Sequence, residues 1–588
     1  MPIFDKEECA VSLQPRGFFK RHWYPLTASA LILVGVALRL TLVLLGWPHI
    51  NSEEGAMGVE AIHILDGAHP IYYYGQRYMG VGEAYLGALA FRIFGISVVS
   101  LRLSMCMLYT IFMVSMFWLT NMLYTRRVAL ATLIALALGA PFTTQIELLA
   151  DGGKEETLAF GALMFALASW LALTGASDSA SDSASGVSRG WRARRYARYA
   201  AFFGWGLAAG LGLYTYAIIV PFVITSGLLI VVACWRELRG WLATLPIIGL
   251  LVGLAPVIIY TVISPLADNP IAVFLALHQS LNTNDVTGWA LLMKELDGSL
   301  LYTIPQVTGL ISPYALQALP LYGPFSLATV GAALLGGVWS LGYLTLLGMA
   351  TYRPLRTLVQ YWMSRKKAEL CDAGVARMRA VARVLLALAA WLTLASYIFS
   401  ATAANNPYSG RYLIGLLIIT PAILWPLLDT LSWKQETAKN GKTSLGWSAD
   451  AIWRVGVIAL LAVNLVVGAI SVAQAIPDAI AANGRDAKLE RDLLRHGYRR
   501  FYSTYWTCDL LNFETREQLI CAVINDNGQL GLTRYAPYIV EVQADPSAPY
   551  IVGHDTAFEQ VFLKSGAQNH RHFAVTSLDG WDIFTPIK

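Results

Sequence analysis

The sequence predicts a polytopic α-helical membrane protein with a small α/β domain at its C-terminal end. Three observations predict it. Of 588 residues, 56% are hydrophobic and only 14% charged, whereas soluble chains carry about 25% charged residues. Apolar runs of spanning length recur between residues 24 and 476. Beyond residue 476 short apolar runs alternate with helix-like pieces, the pattern of strands and helices taking turns. Mean hydropathy is +0.52, and a net charge of +5 is too modest to point to nucleic acid. Eighteen Trp and 28 Tyr suit the aromatic belts of bilayer interfaces.

Residues 1–23 are polar and contain Arg16, Lys20 and Arg21. The apolar run Trp23 to Leu45, about 23 residues, exceeds the core of a signal peptide and reads as an uncleaved first span with a cytoplasmic N-terminus. Further spans are predicted near 97–122, 128–142, 156–174, 199–214, 217–234, 241–264, 326–350, 380–400, 412–430 and 451–476. The fifth and sixth come from one run interrupted at Tyr214-Thr215-Tyr216; read as a single helix, they reduce the count from eleven to ten. Eleven spans place Arg126-Arg127, the arginines of 189–198, Arg236, Arg239, Arg365-Lys366-Lys367, Lys434, Lys439 and Lys442 on the cytoplasmic side. Ten would put the later basic loops outside, so eleven is the reading. The protein is then a multi-pass protein of the cell (inner) membrane, with a transmembrane domain over 1–476 and an extracytoplasmic domain over 477–588. External loops fall at 47–96, 143–155, 265–325 and 401–411. The loop 175–198 opens as ASDSASDSASG, a flexible linker by composition, and its arginine-rich end suits anionic headgroups.

In 477–588 the pattern predicts helices near 482–496, 506–515, 535–543 and 556–565. Strands are predicted near 500–504, 519–524 and 550–552, with a final hairpin in HFAVTSLDGWDIFT, forming a mostly parallel sheet. No GxGxxG is present, which argues against a nucleotide site. Cys9, Cys106, Cys234 and Cys371 are scattered without metal spacing. Cys508 and Cys521 lie in an external compartment, where they form either a disulfide or two buried thiols.

The first external loop, NSEEGAMGVEAIHILDGAHPIYYYGQRYMGVG (51–82), is too rich in acids and rings for a simple anchor. Asn51 is placed as an N-cap with Glu54 returning a hydrogen bond. Met57, Ala61, Ile64 and Leu65 follow at helical spacing, predicting an amphipathic helix along the interface with Glu60 and Asp66 on its exposed side and end. Glu53 has no such structural duty. Glu83 precedes the small-residue run AYLGALA, where an acid needs a partner, and Arg77 is the nearest basic residue. Tyr72 to Tyr74 read as an interfacial belt; Tyr78 lies in the same run. The second loop crowds Glu147, Asp151, Lys154, Glu155 and Glu156 into one turn. Helix-dipole effects account for Glu155 and Glu156 but not for Glu147 or Asp151. In 401–411 the chain leads into Arg411-Tyr412 at the mouth of the tenth span, where a guanidinium can hold a phosphate bidentately. The histidines show no HxxxH or HExxH spacing, and GxSxG and P-loop motifs are absent.

Residues 24–476 resemble the GT-C superfamily of integral-membrane glycosyltransferases, in its protein O-mannosyltransferase and aminoarabinose-transferase-like branch. The likeness rests on Glu53-Glu54-Gly55, Asp66-Gly67-Ala68-His69-Pro70, the run YYYGQRYMGVGEAYLGALAFRIFG (72–95), GLGLYTY (210–216), GLAPVIIY (253–260) and GRYLIGLL (410–417). The resemblance implies an inverting transfer, on the outer membrane face, from a polyprenyl-phosphate-linked sugar donor to a glycan, lipid or protein acceptor. It places the general base at the first acid of the pair, Glu53, where this chain has Glu in place of the usual Asp. Glu54 and Glu83 complete the candidate catalytic acids. Such a transfer needs a carboxylate to take the acceptor proton and cations for the leaving lipid phosphate; Arg411, Arg77 and Lys154 are the candidates. Tyr78, Glu147, Asp151 and Tyr412 are the candidate substrate contacts. Paired acids can also hold a divalent metal; the reading favours metal independence, with no cofactor. The competing classes are a multi-span transporter or lipid flippase of the envelope glycan pathway and a non-catalytic scaffold. Internal repeats and mid-membrane charges, the usual marks of transporters, are not evident.

Overall fold

A computed structural model describes residues 18–181, 191–265, 287–310, 327–363, 370–400, 402–405, 407–428, 449–568, 572–578 and 580–587, with a few positions between 269 and 276. In chain order the first helices are α1 (Phe18–Leu44), α2 (Ser52–Leu65), α3 (Gly82–Phe94), α4 (Val98–Leu123), α5 (Arg126–Leu138), α6 (Pro141–Leu148), α7 (Lys154–Ser181), α8 (Trp191–Thr215), α9 (Val220–Leu238), α10 (Thr244–Gly253) and α11 (Ala255–Ile263). Later helical segments include Leu327–Met363, Leu370–Ile398, the joined 3₁₀ and α stretch Pro407–Leu428, and Ala449–Arg495. Among the described residues eight helices are long and apolar enough to cross a membrane. The number is ten if the bent pairs α5–α6 (73°) and α10–α11 (57°) each count as one. The predicted fifth span exists as the helix α8, which is not among those eight. The break at Tyr214 to Tyr216 is real: α8 ends at Thr215 and a 3₁₀ turn, Ala217–Ile219, leads into α9.

Two features depart from the expected loops. The span predicted over 128–142 turns at Gly139 (φ +64°) and continues as α6, opened by Pro141, so helix occupies the start of the expected loop 143–155. The turn leaves carbonyls of α5 without helical donors. Arg39 of α1, buried, donates to the carbonyls of Leu136 and Ala137. The predicted linker is shorter than composition suggests: α7 runs to Ser181 and α8 starts at Trp191, while 182–190, about half of 265–325, and the basic clusters at 365–367 and 434–442 lie outside the described residues.

The C-terminal domain carries five strands, β1 (Arg500–Ser503), β2 (Ile520–Val523), β3 (Tyr550–Gly553), β4 (Phe573–Leu578) and β5 (Trp581–Pro586), in the order β2-β1-β3-β5-β4. β1 pairs in parallel with β2 and β3, whereas β5 runs antiparallel to both β3 and β4. The sheet is therefore mixed rather than mostly parallel, because the final hairpin folds back onto β3. The helix expected near 482–496 is the end of the 47-residue helix Ala449–Arg495, which runs roughly 70 Å. The boundary drawn at 476/477 falls inside it, beside Pro477.

Helix α2 is not an interfacial helix. Ser52 and residues 54–62 are buried, between α3 on one side and the helix Tyr505–Glu514 on the other. The expectation failed because periodicity shows an apolar face but not whether the opposite face is also covered. Two glycines permit this approach: a Cβ on Gly55 would lie 2.5 Å from the Asp509 backbone, and one on Gly58 would lie 2.5 Å from the Phe513 ring. One apolar core then runs from Met57, Val59, Ala84 and Leu101 into Leu511, Phe513, Cys521 and Ile551. Cys508 and Cys521 are joined by a disulfide that ties the helix Tyr505–Glu514 to β2; Cys106 and Cys234 are buried thiols.

Two outcomes are expected. Peptide mapping without reduction should return Cys508 and Cys521 as one linked pair and Cys106 and Cys234 as thiols. Gly55→Ala, measured by thermal unfolding of the purified protein, should cost about 1–3 kcal/mol because backbone cannot move aside as a side-chain tip can.

Candidate active site

The local geometry starts at the acidic pair. Asn51 caps α2 as expected, its side chain accepting from the Glu54 N–H at 2.8 Å. The Glu54 carboxylate does not return to the cap. It takes a bidentate contact from Arg102 of α4, Nε to Oε1 at 2.8 Å and Nη2 to Oε2 at 2.6 Å, and the remaining Arg102 nitrogen donates to the Pro48 carbonyl at 2.8 Å. Both side chains are buried. A charge-assisted pair at these distances outcompetes a cap exposed to no such cation. Successive side chains on a helix point about 100° apart, so pinning Glu54 toward α4 turns Glu53 away from it.

Glu53 faces two guanidiniums. Its Oε2 lies 3.7 Å from Arg411 Nη1 and its Oε1 lies 3.4 Å from Arg534 Nη2, and the side chain is 15% exposed. Its backbone carbonyl accepts from the Tyr73 hydroxyl at 2.8 Å. These contacts are looser than those of the neighbouring acids: Glu147 meets Arg39 at 2.7 Å and Asp151 meets Lys154 at 2.5 Å. Among the candidate acids, Glu53 combines two cations with a long approach and partial exposure.

The second loop packs beneath it. Glu83, at the start of α3, accepts the backbone N–H groups of Gly152 and Gly153, each at 2.8 Å, rather than pairing with Arg77, which is exposed. Burial and the neighbouring Glu156 carboxyl push the Glu83 acid well above the usual carboxylate range. The Asp151-Gly152-Gly153 turn is held by Lys154, whose ammonium also donates to the Asp151 carbonyl at 2.7 Å. Glu155 and Glu156 do occupy the first turn of α7, and both are buried. Glu147 sits on α6, buried against Arg39.

The break between α8 and α9 completes the floor. Tyr214 donates to the Ile71 carbonyl at 2.6 Å and accepts from the Val81 N–H at 3.3 Å, and the Gly80 N–H donates to the Thr215 carbonyl at 3.0 Å. A Cβ on Gly153 would lie 2.7 Å from that of Tyr216, so the acid-bearing turn rests on the break. The Tyr216 ring meets Tyr412 with centroids 6.2 Å apart, and the Arg411 guanidinium lies 5.4 Å from the Tyr412 ring centre. Tyr78 lies within electrostatic reach of Tyr412, Arg534, Glu53 and Arg411, and burial pushes its phenol up to about 12.

Glu53, Tyr78, Asp151, Lys154, Arg411, Tyr412 and Glu83 thus belong to one connected cluster; Glu54 and Glu147 lie behind it in buried ion pairs, and Arg77 lies on the loop surface. Tyr72 and Tyr73 are buried and Tyr74 half-buried, so these rings pack the loop rather than form a belt. Asp66 is exposed at the end of α2 as expected, but Glu60 is fully buried. Arg39, Arg102, Arg534 and Glu60 carry no motif, and their partners are distant in sequence. Among the described residues one group has the ligand spacing of a metal site, His554, Glu559 and Asp582 in the C-terminal domain, with ligand atoms within 4.8 Å of one another. Cavities of about 410 and 460 Å³ lie elsewhere, against Arg353 and Arg356 and against Leu301 and Leu334.

A bundle of long apolar helices, a first loop docked against an α/β domain, and acids and arginines gathered at that junction make up a fold shared with solved membrane proteins. Among solved structures it is similar to ArnT from Cupriavidus metallidurans bound to undecaprenyl phosphate, with a TM-score of 0.52 and 14% identity over 97% of this chain and 98% of that one. The apo form of the same protein aligns with a TM-score of 0.50 and 14% identity over 95% and 98% of the two chains. The oligosaccharyltransferase AglB from Archaeoglobus fulgidus, in complex with an inhibitory peptide and a dolichol-phosphate, aligns at 0.47 with 12% identity over 97% and 75%. No family model matches the sequence, and no curated protein is significantly similar to it.

Burial pushes the Glu60 carboxyl up to about 9, against smaller opposing effects from the Tyr74 N–H and Arg534. The unfolded chain releases this proton near the ordinary value of 4.5, whereas the folded protein keeps it to about pH 9. The group therefore makes folding progressively less favourable as pH rises between those values. Glu60→Gln should reduce the fall in melting temperature between pH 5.5 and 8.5, measured on purified protein in detergent.

Proposed function

We propose that the protein is a membrane glycosyltransferase that moves one sugar from a polyprenyl-phosphate-linked donor to an extracytoplasmic acceptor, a glycan, lipid or protein, with inversion. The observation that carries this reading is Glu53, loosely held and partly exposed between Arg411 and Arg534, in a fold shared with ArnT. The ligand bound in that structure, undecaprenyl phosphate, supports the donor class.

In this reading Glu53 accepts the acceptor's proton as the new glycosidic bond forms, and the bond from the anomeric carbon to the phosphate oxygen breaks on the opposite face. Arg411 stabilises the charge gathering on the departing lipid phosphate. Lys154 supports that end through Asp151, whereas Arg77, exposed on the first loop, stands apart from this cluster. Tyr78, Tyr412 and Asp151 line the approach. Glu54 and Glu147, each buried in an ion pair, hold the helices that carry the site. Glu83 shapes the turn beneath it. No divalent metal is required. The N-terminus is cytoplasmic and the C-terminal domain lies outside.

The test uses purified full-length protein and a panel of radiolabelled polyprenyl-phosphate sugars with membrane extracts as acceptor source. Wild-type protein should transfer label from at least one donor in the presence of a chelator, and Glu53→Gln should lower turnover by about 100-fold or more at unchanged melting temperature. Wild-type turnover in Glu53→Gln would remove Glu53 from the base role. Label recovered solely on unaltered donor across a vesicle membrane would favour the transporter class.

A further inference from the structure

We propose that Arg534, carried by the C-terminal α/β domain, is a positioning residue for Glu53, so that this domain forms one wall of the transferase site. The inference rests on the reading of Glu53 as base. Arg534 and Glu53 are 481 positions apart in the chain, yet the arginine side chain is 2% exposed while it reaches Glu53 at 3.4 Å. A buried guanidinium is costly unless every face is occupied, and here each is. Its Nε donates to the Tyr505 hydroxyl at 2.9 Å. The rings of Tyr73 and Tyr505 flank it, with their centres 4.9 and 5.6 Å from its central carbon. The Gln76 amide end lies 2.7 and 3.1 Å from the two terminal nitrogens, contacts that become hydrogen bonds when its oxygen takes the position facing the guanidinium.

The backbone behind Arg534 is equally held. It follows a turn closed onto the end of β2, where the Gly531 N–H donates to the Val523 carbonyl and the Thr533 hydroxyl accepts from the Val523 N–H. β2 is linked by the Cys508–Cys521 disulfide to the helix that packs on α2. Arg534 is thus aimed at Glu53 from the same domain that clamps the helix bearing Glu53. Arg411 approaches from the opposite oxygen, out of the helical bundle. The carboxylate is suspended between one cation from each domain, with neither close enough to hold it as Arg102 holds Glu54. Removing Arg534 would leave Glu53 to swing onto Arg411, the cation the leaving phosphate needs.

The other charged or titratable groups around this pair are Tyr73, Tyr78 and Tyr505. Asp509 and Glu60 lie within electrostatic reach of the arginine, and Asp151 within reach of Arg411. Asp509 and Glu60 are buried acids, pushed up to about 7 and about 9. Among the described residues, Glu53 is the carboxylate that forms an ion pair with Arg534, at 3.4 Å.

The test compares full-length wild type, Arg534→Gln, Arg534→Lys and Tyr505→Phe in lipid nanodiscs. Carbodiimide labelling at pH 6, read by peptide mass spectrometry, reports access to the Glu53 carboxyl independently of activity, with the exposed Asp66 on the same helix as internal standard. Arg534→Gln should raise labelling of Glu53 about threefold or more relative to Asp66, with Arg534→Lys and Tyr505→Phe intermediate. Unchanged relative labelling of Glu53 would overturn the proposal, as would an equal rise at both acids, which reports general loosening. With any donor that wild type turns over, Arg534→Gln should lower kcat about 10- to 100-fold at donor KM within twofold, and Arg534→Lys should recover part of it. A rise confined to KM would also overturn it. If wild type turns over no donor, the glycosyltransferase reading fails while the labelling result still decides whether Arg534 holds Glu53.

Discussion

The buried pair between Arg102 and Glu54 is the contact on which the rest of the site depends. Two consecutive acids on one helix cannot face the same neighbour. By holding Glu54 against α4 at 2.6 to 2.8 Å, the protein orients α2 about its axis and turns Glu53 toward Arg411 and Arg534. Replacing such a pair by apolar groups is often neutral, but removing one partner leaves a buried charge uncompensated, a loss of about 3–5 kcal/mol. Its value is therefore one of orientation more than of stability.

The same arrangement recurs below the site. Arg39 and Glu147 meet in the bundle, and the arginine also satisfies the carbonyls of Leu136 and Ala137 freed by the turn at Gly139. A chain that is 14% charged thus buries a notable part of its charge at one end, where each ion anchors an irregular piece of backbone: the loop before α2, the end of α5, the Asp151-Gly152-Gly153 turn. Irregular backbone near a membrane needs its polar groups satisfied from within the protein, and these side chains supply the partners.

The C-terminal domain is not a separate appendage in this packing. Gly55 and Gly58 let the helix Tyr505–Glu514 lie directly on α2, and a single apolar core passes from the first loop into the sheet. Tyr73 links both layers: its hydroxyl donates to the Glu53 carbonyl and its ring supports Arg534. The long helix Ala449–Arg495 runs unbroken from the bundle into the domain, so the domain is carried by the last span as well as clamped by the first loop.

Local and periodic information was legible in the sequence: the apolar runs, the break at Tyr214 to Tyr216, the Asn51 cap, the strands after residue 499, and the peculiarity of Glu53 as an acid without a structural duty. Each depends on residues within a few positions of one another, where spacing translates directly into geometry. Arg102, Arg39 and Arg534 were not legible, because their carboxylate partners lie 48, 108 and 481 positions away and an isolated arginine has no local signature. The same limit explains Glu60 and α2, whose second buried face exists only because a domain from the far end of the chain covers it. The sequence by itself determined where the long apolar segments lie and which acid has no capping duty on its helix. Tertiary structure alone decided which cations face that acid, since charges find partners through space and burial makes those partners obligatory.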